Sequence, residues 1–192
     1  TYEDEDGLGL TLDPKATSTY TYKLTDKQGN EWYFNAKGNL GYMKDANGNT
    51  INIYFKDTNG DGTREKDKID YIKDGTGHTL TFDYYPNSNY VKTIQDNAGR
   101  VITFNTISGY LNSIEYYDGT LTYIDYEDIK KSTGEKDTDI SLINFVWSSD
   151  RVGVNFDYTS SKTGYRVKNV REFAATAVYP DYTNYSAGQL VT

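Results

Sequence analysis

The sequence predicts an all-β chain of antiparallel β-hairpin repeats forming an open, twisted β-sheet strip. Three observations carry this expectation. A turn signal, Asp-x-x-Gly, recurs along the chain, and apolar residues keep constant places around it. The composition is also that of a β protein, with 20 Tyr and 17 Gly in 192 residues and many Thr, Asn and Asp. Tyr and Thr suit a half-buried pleated surface, while Gly, Asn and Asp supply turns. Helical periodicity is almost absent, and the best helical window is the short piece Tyr126–Lys131.

Residues 1–22 read as a lead-in. Residues 23–126 hold the repeats, and 127–192 a diverged β segment, all within one array that reads as a piece of something longer. The turns are Asp26–Gly29, Asp45–Gly48, Asp74–Gly77 and Asp96–Gly99, with a degenerate copy at Asp118–Gly119, at spacings of 19, 29, 22 and 22. Asp at the first position accepts hydrogen bonds from N–H groups two residues on. Gly at the fourth takes the left-handed conformation that closes a type I turn with a bulge.

Before the turns come Leu40 and Met43, Ile69 and Ile72, Val91 and Ile94, and Leu111 and Ile114. After them come Tyr33, Ile51/Ile53/Phe55, Leu80/Phe82/Tyr84, Ile102/Phe104 and Leu121/Tyr123. Alternation at period two places these side chains on one face of a strand. A lone hairpin cannot bury such a face, so successive hairpins must pair edge to edge. One carboxylate per hairpin along a sheet edge is not the converging pair that glycoside hydrolysis needs, so no catalytic residue is assigned.

Other function classes fall on composition. Zero Cys excludes disulfide scaffolds, thiolate nucleophiles and Cys-ligated metal sites, and a single His (His78) excludes His-rich centres. A net charge of −8 repels a phosphate backbone, which argues against nucleic-acid binding. No apolar run reaches the ~18–20 residues of a membrane-spanning helix.

The pattern apolar-x-x-Ile-x-Asp-x-x-Gly-(Arg/Asn/His)-x-apolar-x-Phe/Tyr resembles the YD repeat, or RHS repeat. Its clearest copies are VKTIQDNAGRVITF (Val91–Phe104), IDYIKDGTGHTLTFDY (Ile69–Tyr84) and LGYMKDANGNTINIYF (Leu40–Phe55). The resemblance covers residues 20 to 126. Gly164–Ala175 resembles a diverged copy with Val167 and Val170 at the apolar places. EDEDGLGLTL followed by TYKLTDKQGNEWYF looks like the lead-in found in wall-associated RHS proteins of Gram-positive bacteria.

The resemblance implies a secreted or cell-wall-associated protein. In that family a β strip winds into a hollow shell that can enclose a C-terminal toxin domain, so the partner here is the rest of its own RHS shell. The family's Asp-Pro-x-Gly self-cleavage motif is not matched by Asp13-Pro14-Lys15-Ala16, so cleavage is not carried over. A carbohydrate-binding or adhesion module, with cell-wall glycans as partner, is the alternative. Tyr84-Tyr85 and Tyr116-Tyr117 each place one ring outward, where it could stack on a sugar.

The 29-residue interval holds an insertion, residues 57–68. Asp57, Asn59 and Asp61 stand at positions 1, 3 and 5 with Gly62 at 6, the front half of an EF-hand-type calcium loop. The Thr63 carbonyl and Glu65 extend the oxygen set. Position 12 is Lys68 and the nearest acid is Asp67, so the expected site is a weak, non-helical Ca²⁺ loop of about 10⁻⁴–10⁻³ M.

Glu3-Asp4-Glu5-Asp6 reads as a solvated run, and Lys130–Asp139 as a loop between strands Leu121–Tyr126 and Ile140–Trp147. Trp147 belongs to the core. His78 occupies the slot after Gly77 that Asn30, Asn49 and Arg100 hold elsewhere, with no partner legible for catalysis.

Overall fold

Runs of β-forming residues separated by tight polar turns give strands alone. In the computed structural model the described residues are 2–3, 7–14, 16–57, 68–130, 136–149, 152–161, 164–174 and 189–191. Among them there is no helix. The chain divides into two compact units, Thr1–Val101 and Ile102–Thr192.

The first unit holds β1 (Tyr2–Glu3), β2 (Thr11–Asp13), β3 (Tyr22–Thr25), β4 (Glu31–Phe34), β5 (Leu40–Lys44), β6 (Thr50–Phe55), β7 (Ile69–Asp74), β8 (Thr79–Tyr84) and β9 (Val91–Asp96). The boundary falls inside β10 (Val101–Ile107). The second unit continues with β11 (Tyr110–Glu115), β12 (Leu121–Lys130), β13 (Lys136–Ser148), β14 (Val152–Ser161), β15 (Gly164–Ala174) and β16 (Gln189–Val191). In each unit the strand order is the chain order, and neighbours pair antiparallel. Neither run returns to pair with its own first strand, so the sheet is open in both.

The hairpins come in two alternating kinds. Those closed by the Asp turns are regular, as in Tyr42↔Asn52 and Met43↔Ile51. From β4 onward, those closed at the opposite ends of the strands each slip by one residue, with a second irregularity in β12–β13 between Asp128 and Lys130, whereas β2–β3 is regular. Tyr33 and Phe34 face Tyr42 and Leu40, leaving Gly41 extra, and Tyr54 and Phe55 face Tyr71 and Ile69, leaving Asp70 extra. The same slip leaves out Lys92, Asn112, Asn144 and Lys168. A β-bulge bends its strand and increases local twist.

The bulges are in phase with the repeat. Gly41, Asp70 and Lys92 stand four residues before Asp45, Asp74 and Asp96, and between the paired apolar residues Leu40/Met43, Ile69/Ile72 and Val91/Ile94. Asn144 and Lys168 lie likewise between Ile143/Val146 and Val167/Val170, with Ser148 and Glu172 rather than Asp four residues on. Val167 and Val170 thus flank a bulge as Leu40 and Met43 do.

A tyrosine hydroxyl reads the same phase. Tyr84 Oη donates to the Ile69 carbonyl (3.0 Å), Tyr126 to Leu111 (3.1 Å) and Tyr158 to Ile143 (2.6 Å). Each carbonyl belongs to the residue just before a bulge, where the ladder is interrupted and a partner from outside it is needed. Burial pushes all three phenols up from their ordinary pKa.

Core formation differs along the chain. Tyr123, Phe145 and Trp147 are the buried hydrophobic residues among those described, with Leu121 packed against them, and the Tyr123 and Trp147 rings stack at 5.2 Å. Trp147 is core, as expected. In the first unit the apolar faces are only half-buried, and Ile51 (36% exposed) and Leu80 (43%) stand well open.

Three expectations need correction. Of Tyr126–Lys131, residues 126–130 are not helical but complete strand β12, because Tyr126 and Glu127 pair with Ile143 and Leu142, and Lys131 lies outside the described residues. The charged stretch from Lys130 is not a loop throughout. The β12–β13 ladder reaches Lys130↔Lys136, and Ser141 Oγ donates to Asp128 across it (2.9 Å). The fifth turn begins at Tyr116 rather than Asp118, since Gly119 N donates to Tyr116 O (2.9 Å).

Candidate functional site

Each Asp turn is built the same way. In the second, Gly48 N donates to Asp45 O (3.0 Å), and Asp45 Oδ1 accepts from the N–H of Asn47 (2.9 Å) and Asn49 (2.8 Å). Gly48 sits at φ +89°, where a side chain would be strained. The slot after the glycine proves to be a clasp on the second carboxylate oxygen. Asn30 Nδ2 reaches Asp26 Oδ2 at 2.7 Å, Asn49 Nδ2 reaches Asp45 at 2.6 Å, and Arg100 Nε reaches Asp96 at 2.7 Å. His78 Nδ1 lies 3.1 Å from Asp74 Oδ2.

These bonds hold the carboxyls below the ordinary carboxylate value. The side-chain bond from Asn30 leads for Asp26, from Asn49 for Asp45 and from Thr76 for Asp74, while the Arg100 backbone N–H leads for Asp96. Asn35 closes the β4–β5 connection in the same style, its Oδ1 accepting from Lys37 N (2.9 Å) and Asn39 N (3.0 Å). That turn was missed because its signature is Asn-x-x-Gly. Ser108 and Gly109, both at positive φ, make a two-residue hairpin that was also missed.

Thr76, His78 and Asp74 meet, a juxtaposition not legible in the sequence. Thr76 Oγ1 donates to Asp74 Oδ1 (2.8 Å) and lies 2.7 Å from His78 Nδ1. Hydroxyl and carboxylate therefore share one ring nitrogen. A proton relay needs them on opposite nitrogens, so this is a turn clasp and not a catalytic triad.

Successive turns are tied sideways. Asn30 Oδ1 accepts from Ala46 N (3.2 Å), and Gly75 N donates to Thr50 O (2.8 Å). Beside these ties, within the first unit, lies a groove of about 650 Å³. Trp32, Met43 and Ile51 give it apolar walls, and Asp45, Asn49 and Asp74 are among its polar lining. On the tyrosine side of the same strands, Tyr33 and Tyr42 pack at 5.2 Å and Tyr54 stacks on Tyr71 at 4.3 Å. Burial, with Glu31 accepting from its hydroxyl, pushes Tyr33 up to about 12.

Of the expected calcium ligands, Asp57 is described and exposed; Asn59, Asp61, Thr63, Glu65 and Asp67 lie outside the described residues. So do Asp4, Glu5 and Asp6. The ends of the insertion meet, with Lys56 N donating to Lys68 O at 2.8 Å. The Lys56 and Lys68 ammoniums stand 5.6 and 5.7 Å from the centre of the Tyr84 ring.

No protein-family model matches the chain, and no curated protein matches it. Among solved structures it is similar to a porin-like protein from Bacteroides uniformis, at 14% identity over 95% of each chain and a TM-score of 0.31. A likeness at that score carries no argument about fold or function.

Proposed function

We propose that this chain is a structural segment of a bacterial secreted or cell-wall-associated protein of the YD/RHS-repeat kind, part of a β-strip shell or scaffold of the sort that can enclose a C-terminal toxin domain, and not an enzyme. The observation that supports this is the common phase of turn and bulge, repeated with different side chains in both units. Such a device serves to continue a sheet: each repeat re-creates the edge on which the next one pairs. The carboxylates along the turns hold the turns closed.

The decisive experiment is binding of the purified chain to a glycan array and to bacterial wall material. A scaffold segment gives nothing above background. Saturable glycan binding would overturn this reading in favour of an adhesion module.

Calcium on the 57–68 loop belongs to the same proposal, as a clip on the insertion. Millimolar Ca²⁺ should raise the melting temperature of the wild type relative to EDTA, and leave that of the Asp57→Ala/Asp61→Ala variant unchanged. Equal melting in all four conditions removes calcium from the account.

A further inference from the structure

The groove beside the Asp26, Asp45 and Asp74 turns has the makings of a ligand site that the scaffold role does not use. We propose that it receives an organic cation on an apolar stem, the chemistry of a lysine or arginine side chain presented by a partner polypeptide. Three observations converge on that class.

The first is shape and lining. About 650 Å³ lies within the range of small-ligand clefts, and Trp32, Met43 and Ile51 offer a surface for an aliphatic stem. Tryptophan is also the strongest aromatic partner for a cation.

The second is charge. Asp45 and Asp74 give the groove two negative charges, the Glu31 and Lys44 side chains lying on the tyrosine side of the strands, and the whole chain carries −8. The turn bonds keep Asp45 and Asp74 ionised well into acid. Glu31 is shared with Lys23 (3.2 Å) and Tyr33 (2.9 Å), so the two turn aspartates carry most of the attraction.

The third is donor balance. The amide N–H donors of Asn30 and Asn49 point to Asp26 and Asp45, and the Thr76 hydroxyl donates to Asp74. With these donors turned to the aspartates, the rim offers carboxylate charge rather than free side-chain donors. An ammonium or guanidinium, which only donates, is matched; an anion is repelled, and a sugar hydroxyl finds few donors.

The test is an NMR titration of the Trp32 indole N–H, assigned with Trp32→Phe, using N-acetyl-lysine methylamide. Its uncharged counterpart N-acetyl-norleucine methylamide and a methyl glucoside serve as comparison ligands. The lysine derivative should shift the resonance saturably, and norleucine should bind at least about tenfold more weakly. Asp45→Asn/Asp74→Asn should lose binding while keeping the turns, because Asn35 already closes an equivalent turn with an amide oxygen. Unchanged circular dichroism would verify that the double variant is folded. Equal binding of norleucine or the glucoside, full binding by the folded double variant, or no shift at a ligand concentration on the order of 50 mM would each overturn the proposal.

Discussion

The two units use one repeat but reach stability by different routes. In the first, strands are four to six residues from β3 onward, apolar faces stay half-buried, and order resides in turns clasped by Asp26, Asp45, Asp74 and Asp96. In the second, β12 to β15 run for 10 to 13 residues, and Tyr123, Phe145 and Trp147 make a buried cluster. Local hydrogen bonds and tertiary burial thus substitute for one another on the same framework. A turn bond adds little individually, whereas a large buried aromatic concentrates stability at one place.

The sharpest way to break the contrast is to remove a tryptophan from each unit. Trp147→Ala should destabilise the second unit by about 3–5 kcal/mol, as expected for a buried aromatic. Trp32→Ala, from a half-buried site, should destabilise the first by about 1–2 kcal/mol. Hydrogen exchange read separately on the amides of each unit reports both values. Equal losses would mean that the difference in burial has no energetic meaning.

Next in size is a glycine test of what the units share. Gly77→Ala (φ +98°) and Gly119→Ala (φ +83°) meet no atom within 4 Å, so only backbone strain acts. Each should lose about 1–2 kcal/mol. A marked difference between them in urea melts would show that the two turns are not the same device.

Smaller again is the tyrosine clasp at the bulges. Tyr84→Phe and Tyr126→Phe each leave a carbonyl without its donor and should lose about 1 kcal/mol. Faster exchange confined to the neighbouring bulge would accompany the loss. No change in either variant would reduce the hydroxyl contacts to ornament.

The gentlest perturbation is acid. The carboxyls of the four Asp turns lie below the ordinary value of 3.8, so their stability is fully present above that pH and drains away as pH falls below it. Among the described residues of the second unit, Asp118 and Asp157 are the lowered carboxyls. Melting followed unit by unit below about pH 4 should therefore show the first unit weakening sooner. Simultaneous weakening would contradict the division of labour.

The all-β class, the Asp turns, their edge position and the place of Trp147 were legible because they rest on local chemistry. An Asp side chain closing its own turn needs nothing from afar. The bulges were not legible, because a slip of one residue exists only between two strands, although the 15-residue interval from Ile69 to Tyr84, Leu111 to Tyr126 and Ile143 to Tyr158 was present as a signal. Tyr126–Lys131 misled for a related reason: pairing with β13 decides its conformation. Asp118 misled because Asp-Gly looks like a turn start, whereas the phase of the bulge at Asn112 puts Tyr116 first. Of the groove, the Asp residues were visible, but its walls come from three hairpins and no spacing rule joins Trp32 to Asp74.

The bulge has one more consequence. Because side chains alternate across a sheet, an odd residue inserted between paired strands exchanges inside for outside in everything beyond it. From β4 to β11 that odd residue comes once per hairpin pair, at the same place each time, so each repeat carries its own correction and hands the next an unaltered frame. Whole repeats could be gained or lost, as interchangeable cassettes, without turning any later face inside out. A single-residue insertion outside the bulge has no such protection.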